Sequence, residues 1–123
     1  MIRSGPGLLA TLALLAGLLA MPAMSRAQTP AEELAALASH VDLALAQLDA
    51  GDIDAARTAY VAFDDGWAEI EDGIRAQSRE SYRSIEDAMA GANSALHGEP
   101  VDVDAARAAL QLVRQRCDTF IQG

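Results

Sequence analysis

The sequence predicts an all-α protein: an antiparallel, up-down-up-down four-helix bundle that follows a cleaved signal peptide. Three observations lead there. Four segments carry apolar residues at alternating steps of three and four, the period of one helix face. Short breaks with capping residues separate these segments. No stretch alternates with period two for long enough to make a strand.

The leader comes first. Arg3 supplies a basic start, and Leu8 to Ala20 form the apolar run (LLATLALLAGLLA) that follows. That run is short for a membrane span, which needs about 20 residues. Ser25 and Ala27 are small residues at the −3 and −1 positions of a cleavage site after Ala27. The alternative is an uncleaved anchor. The expectation is a signal peptide over 1–27 and one bundle domain over 28–123, exported to the periplasm.

That domain is long enough for one modest core. It has seven arginines against 18 acidic residues, a net charge of −11, and no lysine. Such a field repels nucleic acid and anionic membrane surfaces and attracts cations or a basic partner. Cys117 is the single cysteine. An internal disulfide is therefore excluded, and the thiol is either buried or paired between two chains as a homodimer.

The first helix opens at Thr29-Pro30-Ala31-Glu32-Glu33. Thr29 can cap, Pro30 suits the first turn, and the glutamates face the positive end of the helix dipole. Leu34, Leu37, Val41, Leu45 and Leu48 give its apolar face, and Gly51 ends it. The second helix starts at Asp52-Ile53-Asp54, with Asp54 read as the cap. Its seam is Ala56, Tyr60, Phe63, Trp67, Ile70 and Ile74. Gly66 and Gly73 lie off that seam, and each costs about 1 kcal/mol of helix stability relative to Ala.

A break near Gln77-Ser78 leads to the third helix, capped by Ser78, with Tyr82, Ile85, Met89, Ala92 and Leu96 inward. His97 sits at its C-terminal end, where an imidazole suits the dipole. Gly98-Glu99-Pro100 breaks the chain again. Asp104 is read as the cap of the fourth helix, and Ala106, Leu110, Val113, Cys117 and Phe120 form its seam. Ile53-Asp54-Ala55-Ala56-Arg57 recurs as Val103-Asp104-Ala105-Ala106-Arg107 fifty residues later. The repeat is either a shared helix-start signal or the trace of a duplicated hairpin.

The chemistry-bearing residues cluster on helices two and three. Asp64 and Glu71 fall on one flank of the second helix, two turns apart. Glu86 lies beside the seam of the third. With a turn near residue 77, antiparallel helices set Trp67 opposite Glu86 and Glu71 opposite Tyr82 or Arg83. Crowded carboxylates repel unless a proton, an arginine or a metal ion intervenes. Oxygen donors suit iron, manganese, calcium or magnesium. His40 of the first helix, level with Phe63 and Asp64, adds a nitrogen donor. The candidate metal set is therefore Glu71, Glu86, Asp64 and His40. The competing reading pairs these acids with Arg75, Arg79 and Arg83, each surface pair contributing about 0–1 kcal/mol.

Other chemistries are absent from the sequence. Without Glu-x-x-His a ferritin-like di-metal site has no support, and without Cys-x-x-Cys-His there is no c-type haem. There is no phosphate-binding glycine loop and no serine elbow, so no enzyme is expected. Cys117 falls on an apolar seam and reads as a structural thiol.

Tyr60-x-x-Phe63-x-x-x-Trp67-x-x-x-Glu71-x-x-Ile74 followed by Tyr82-x-x-Ile85-Glu86-x-x-Met89 resembles the extracytoplasmic helical domain of bacterial high-affinity iron permeases and related periplasmic iron-uptake proteins. The resemblance covers about thirty residues closely and the flanking helices by pattern only. It implies iron delivery or sensing beside a membrane permease, with Glu71 and Glu86 as the residues carried over. The chain has no Arg-Glu-Gly-x-Glu motif and no further membrane helices in its sequence pattern, so it is not expected to be the permease itself. Two functions follow: an accessory protein of iron or divalent-metal uptake, or an acidic interaction module that holds no metal.

Overall fold

A computed structural model describes residues 27–123. The signal peptide expected over 1–27 lies, but for Ala27, outside them. The chain forms α1 (Pro30–Asp49), α2 (Ile53–Gln77), α3 (Arg79–Leu96) and α4 (Val103–Gln122). Among the described residues there is no strand, and no helix is long and apolar enough to cross a membrane.

The helix ends follow from local hydrogen bonding. Thr29 Oγ1 accepts from the Glu32 N–H at 3.1 Å, and the Glu32 carboxylate accepts from the Thr29 N–H at 2.9 Å. This reciprocal capping box satisfies two donors that a helix start leaves open. Gly51 closes α1 with φ +80°, a left-handed conformation that glycine adopts at little cost. Ser78 serves two helices at once. Its N–H donates to the Ile74 carbonyl and ends α2, while its Oγ accepts from the Ser81 N–H and starts α3.

Two caps differ from the sequence expectation. Asp52, not Asp54, caps α2 by accepting from the Ala55 N–H at 2.9 Å. Asp102, not Asp104, caps α4 in the same way through Ala105 at 3.0 Å. A capping side chain bonds the N–H two or three residues ahead, so the first aspartate of each Asp-x-Asp is the one in reach. The second lies in the first turn and pairs with the arginine three residues on: Asp54 with Arg57, and Asp104 with Arg107.

Each helix packs on the next in sequence, and α1 also packs on α4. In two of these pairs, α2–α3 and α1–α4, side-chain contacts link the start of one helix to the end of its neighbour. Arg57 Nε donates to the Leu96 carbonyl at 2.7 Å, and Arg107 Nε meets Asp49 at 3.0 Å. The repeated segment thus makes equivalent contacts twice, each arginine fastening its helix start to the end of a helix in the other half of the chain.

All five expected seam residues of α4 are buried. In the other helices alanines hold positions that larger residues were expected to fill. Ala38 and Ala44 are buried where Leu37 and Leu45 are only partly so, and Ala59 and Ala88 are buried while Ile70 and Tyr82 on the same helices are only partly so. Small residues let the helix axes approach, and the larger ones close the rim. Gly66 acts similarly, because a Cβ there would lie 2.2 Å from Leu37 Cδ1. A Cβ on Gly73 would meet Pro30 Cγ at 3.5 Å, an ordinary contact. Both glycines lie off the central seam, as expected, and both line the contact between α1 and α2.

Gly91 is different: nothing stands within 4 Å of a Cβ built on it. Gly91→Ala is therefore expected to stabilise the protein by about 0.5–1 kcal/mol through helix propensity. A urea midpoint that fell would show that the exposed face of α3 has an unseen neighbour. The same change at Gly66 should gain less, since Leu37 must turn away.

Candidate functional site

The α2–α3 seam holds most of the aromatic residues. Tyr60, Phe63 and Trp67 run along α2 and stack in order, with ring centroids 6.0 and 6.5 Å apart. Trp67 then stacks on Tyr82 of α3 at 6.0 Å. Phe63 is fully buried, and Tyr60 and Trp67 are each 2 % exposed. The four rings form a ladder that starts in the core and ends at the half-buried Tyr82.

Polar groups pin both sides of this ladder. Trp67 Nε1 donates to Glu86, and Tyr82 O–H donates to Glu71 at 3.1 Å. These are the two facing pairs expected from a turn near residue 77. The pattern is reciprocal. Trp67 and Tyr82 stack, and each donates to the carboxylate one turn beyond its stacking partner. The stacked rings thus occupy one diagonal of the seam, while Glu71 and Glu86 occupy the other.

Tyr60 adds a third tie, its O–H donating to the Met89 carbonyl at 3.0 Å. Burial, with smaller contributions from the charges of Asp64, Cys117 and Glu86, holds its phenol well above its ordinary pKa. Burial also raises Tyr82, and its bond to Glu71 adds to the shift. The Arg75 guanidinium lies 5.0 Å from the Tyr82 ring centre, a cation–π contact, and also pairs with Asp72.

The four candidate ligands are distributed over three places. Asp64 and Glu86 line one open cleft of about 210 Å³ between α2 and α3, with Tyr60, Met89 and Asn93. Glu71 lies two turns along α2 from Asp64, bonded to Tyr82. His40 lies in a separate groove between α1 and α2, beside Glu33, Gly66 and Glu69. Among the described residues no group of three or more His, Cys, Asp or Glu gathers closely enough to hold a metal ion. His97 takes the end of α3 as expected, Nδ1 standing 2.8 Å from the Asn93 carbonyl.

The arginines divide into two sets. Arg57, Arg75, Arg107 and Arg114 hold seven acids between them: Asp54, Glu99, Asp72, Asp49, Asp104, Asp42 and Asp118. Arg107 and Arg114 tie α1 to α4 along its length, a seam the sequence analysis did not single out. The i, i+3 and i, i+4 spacing of Asp104 and Asp118 around these arginines marks pairs within α4, and no spacing marks their partners Asp49 and Asp42 on α1. Arg79 and Arg83 make no ion pair among the described residues, contrary to the expectation that they neutralise the acids of α2. On the outer side of α2, Asp64, Asp65 and Glu69 are exposed and also lack an ion-pair partner there.

No protein-family model, curated protein or solved structure matches the chain, so the resemblance to iron-permease domains rests on the quoted residues of α2 and α3 alone.

Proposed function

We propose that the protein is an exported up-down-up-down bundle, cleaved after Ala27 and resident in the periplasm, that acts as an acidic docking module for a basic partner. No catalytic role is assigned to it. The observation that carries this reading is the uneven use of arginine. Four arginines are spent on acids at helix starts, in the last turns of α2 and along the α1–α4 seam, while Asp64, Asp65 and Glu69 stay exposed and without an ion pair on α2. A face of this kind steers and orients a cationic surface. The resemblance of α2 and α3 suggests the partner: a membrane iron permease or another component of metal uptake.

The test compares two triple neutralisations in binding to a polyarginine peptide. Asp64→Asn/Asp65→Asn/Glu69→Gln should weaken binding by about tenfold or more, and wild-type affinity should fall steeply with salt. Asp54→Asn/Asp72→Asn/Asp104→Asn removes the same charge from paired acids and should cost much less. Equal losses would leave only net charge and sink the docking face.

A second reading has its own support in the cleft lined by Asp64 and Glu86, whose oxygens suit a hard cation such as iron or manganese. Calorimetric titration with ferrous and ferric iron and manganese tests it. Binding should weaken in Glu86→Ala and Asp64→Ala, and in Glu71→Ala if that carboxylate also contributes. Affinity unchanged in all three variants would end the metal reading and leave the docking reading in place.

A further inference from the structure

The face formed by α3 and α4 brings together three features that the α2 surface does not explain. Two of the largest clefts, about 360 and 430 Å³, adjoin there and share Leu112 in their lining. Leu112 is 37 % exposed, one of only three large apolar side chains so exposed among the described residues. The first cleft is rimmed by Glu80, Arg83, Asp87 and Arg116. Glu80 and Arg83 are three residues apart on α3, and Arg83 and Asp87 are four apart. At this spacing the chain closes ion pairs elsewhere, as between Asp72 and Arg75 or Arg114 and Asp118. None of these four rim residues forms an ion pair among the described residues. Arg116 instead donates to Ser84 Oγ at 3.0 Å.

We propose that this face is the contact between two copies of the chain, related by a twofold axis through the Leu112 surface. The charge pattern selects the occupant. A uniformly acidic partner meets Glu80 and Asp87, and a uniformly basic one meets Arg83 and Arg116. A partner with two charges of each sign in alternation pairs with all four, and a second copy presents that pattern by symmetry. A domain of charge −11 repels its own copy over most of its surface. The rim of the α3–α4 cleft is locally neutral and surrounds an exposed leucine, which favours close approach there. Cys117 plays no part, being fully buried in α4.

Residues 28–123 carry all four helices and the whole described core, so the experiment uses that chain. Sedimentation velocity up to about 1 mM protein should show a reversible dimer of the weak, small-interface kind. Arg83→Glu/Arg116→Glu should dissociate at least about tenfold more readily, and so should Glu80→Arg/Asp87→Arg. Mixing the two variants should restore a dimer containing one of each, because every rim charge then meets its opposite. Leu112→Glu should weaken the wild-type dimer without changing helix content, since the side chain is already exposed. A wild-type chain that stays monomeric throughout the range overturns the proposal. So does a dimer that survives both charge variants and Leu112→Glu.

Discussion

Phe63→Ala is expected to remove about 3–5 kcal/mol of stability, the range for truncating a fully buried aromatic side chain. Phe63 has no exposed surface and stacks on both Tyr60 and Trp67. The cost has three parts: lost transfer free energy, the cavity left behind, and the loss of two ring contacts worth about 0.5–1.5 kcal/mol each. A domain of this size holds only about 5–15 kcal/mol in total, so the variant should be close to unfolding at physiological temperature. The control is two residues away. Val61 on the same helix is 47 % exposed, and Val61→Ala should change stability by about 0.5 kcal/mol or less. Urea denaturation followed by circular dichroism separates the two. Comparable small losses would mean that the ladder is not the centre of the core.

That contrast shows which part of the fold the sequence carries. Tyr60, Phe63 and Trp67 step by three and four, and the period alone sends them inward while Val61 turns outward. The α2–α3 register was also legible, because a turn at Gln77-Ser78 sets Trp67 opposite Glu86 and Glu71 opposite Tyr82. What the period cannot reveal is how a seam is filled. Alanine is a good helix former at any position, so its presence did not tell the buried Ala38, Ala44 and Ala88 from exposed alanines such as Ala35 and Ala36. The same limit applied to the carboxylates. Their levels could be read, but the Trp67–Tyr82 stack along one diagonal depends on ring orientation, which spacing does not encode. The caps were misread for a local reason: Asp52-Ile53-Asp54 and Asp102-Val103-Asp104 each offer two caps, and only hydrogen-bond reach separates them.

The repeat of these two starts acquires meaning from the contacts. Asp52 and Asp102 cap alike, Arg57 and Arg107 each bond the aspartate three residues before them, and each crosses to the end of a helix in the other half. A shared start signal accounts for the cap and the first-turn pair. It does not require the crossing, which a duplicated hairpin folded against its copy produces in both halves. The two helices differ at equivalent core positions, where Tyr60, Phe63 and Trp67 correspond to Leu110, Val113 and Cys117. The aromatic ladder and its carboxylates belong to one half only.

Cys117, the counterpart of Trp67, gives the largest expected pH effect. Burial pushes its thiol up from 9.0 to about 12, outweighing the lowering by Arg114. The neutral thiol is the form that the folded state accommodates. Its contribution is complete below pH 9 and is lost as pH rises from 9 towards 12, because the unfolded chain ionises first. The loss should be about 1 kcal/mol at pH 10 and about 3 kcal/mol at pH 11. The Tyr60 phenol, also raised by burial, acts in the same direction at still higher pH. Urea midpoints between pH 8 and 11 should therefore fall with a slope that Cys117→Val reduces. Cys117→Val combined with Tyr60→Phe should reduce it further, with some stability lost at every pH from the missing bond to the Met89 carbonyl. The native thiol should also resist alkylation at pH 8 and react once urea unfolds the chain. A wild-type slope that Cys117→Val leaves unchanged, or rapid alkylation of the folded protein, would show that α4 does not keep this side chain from water.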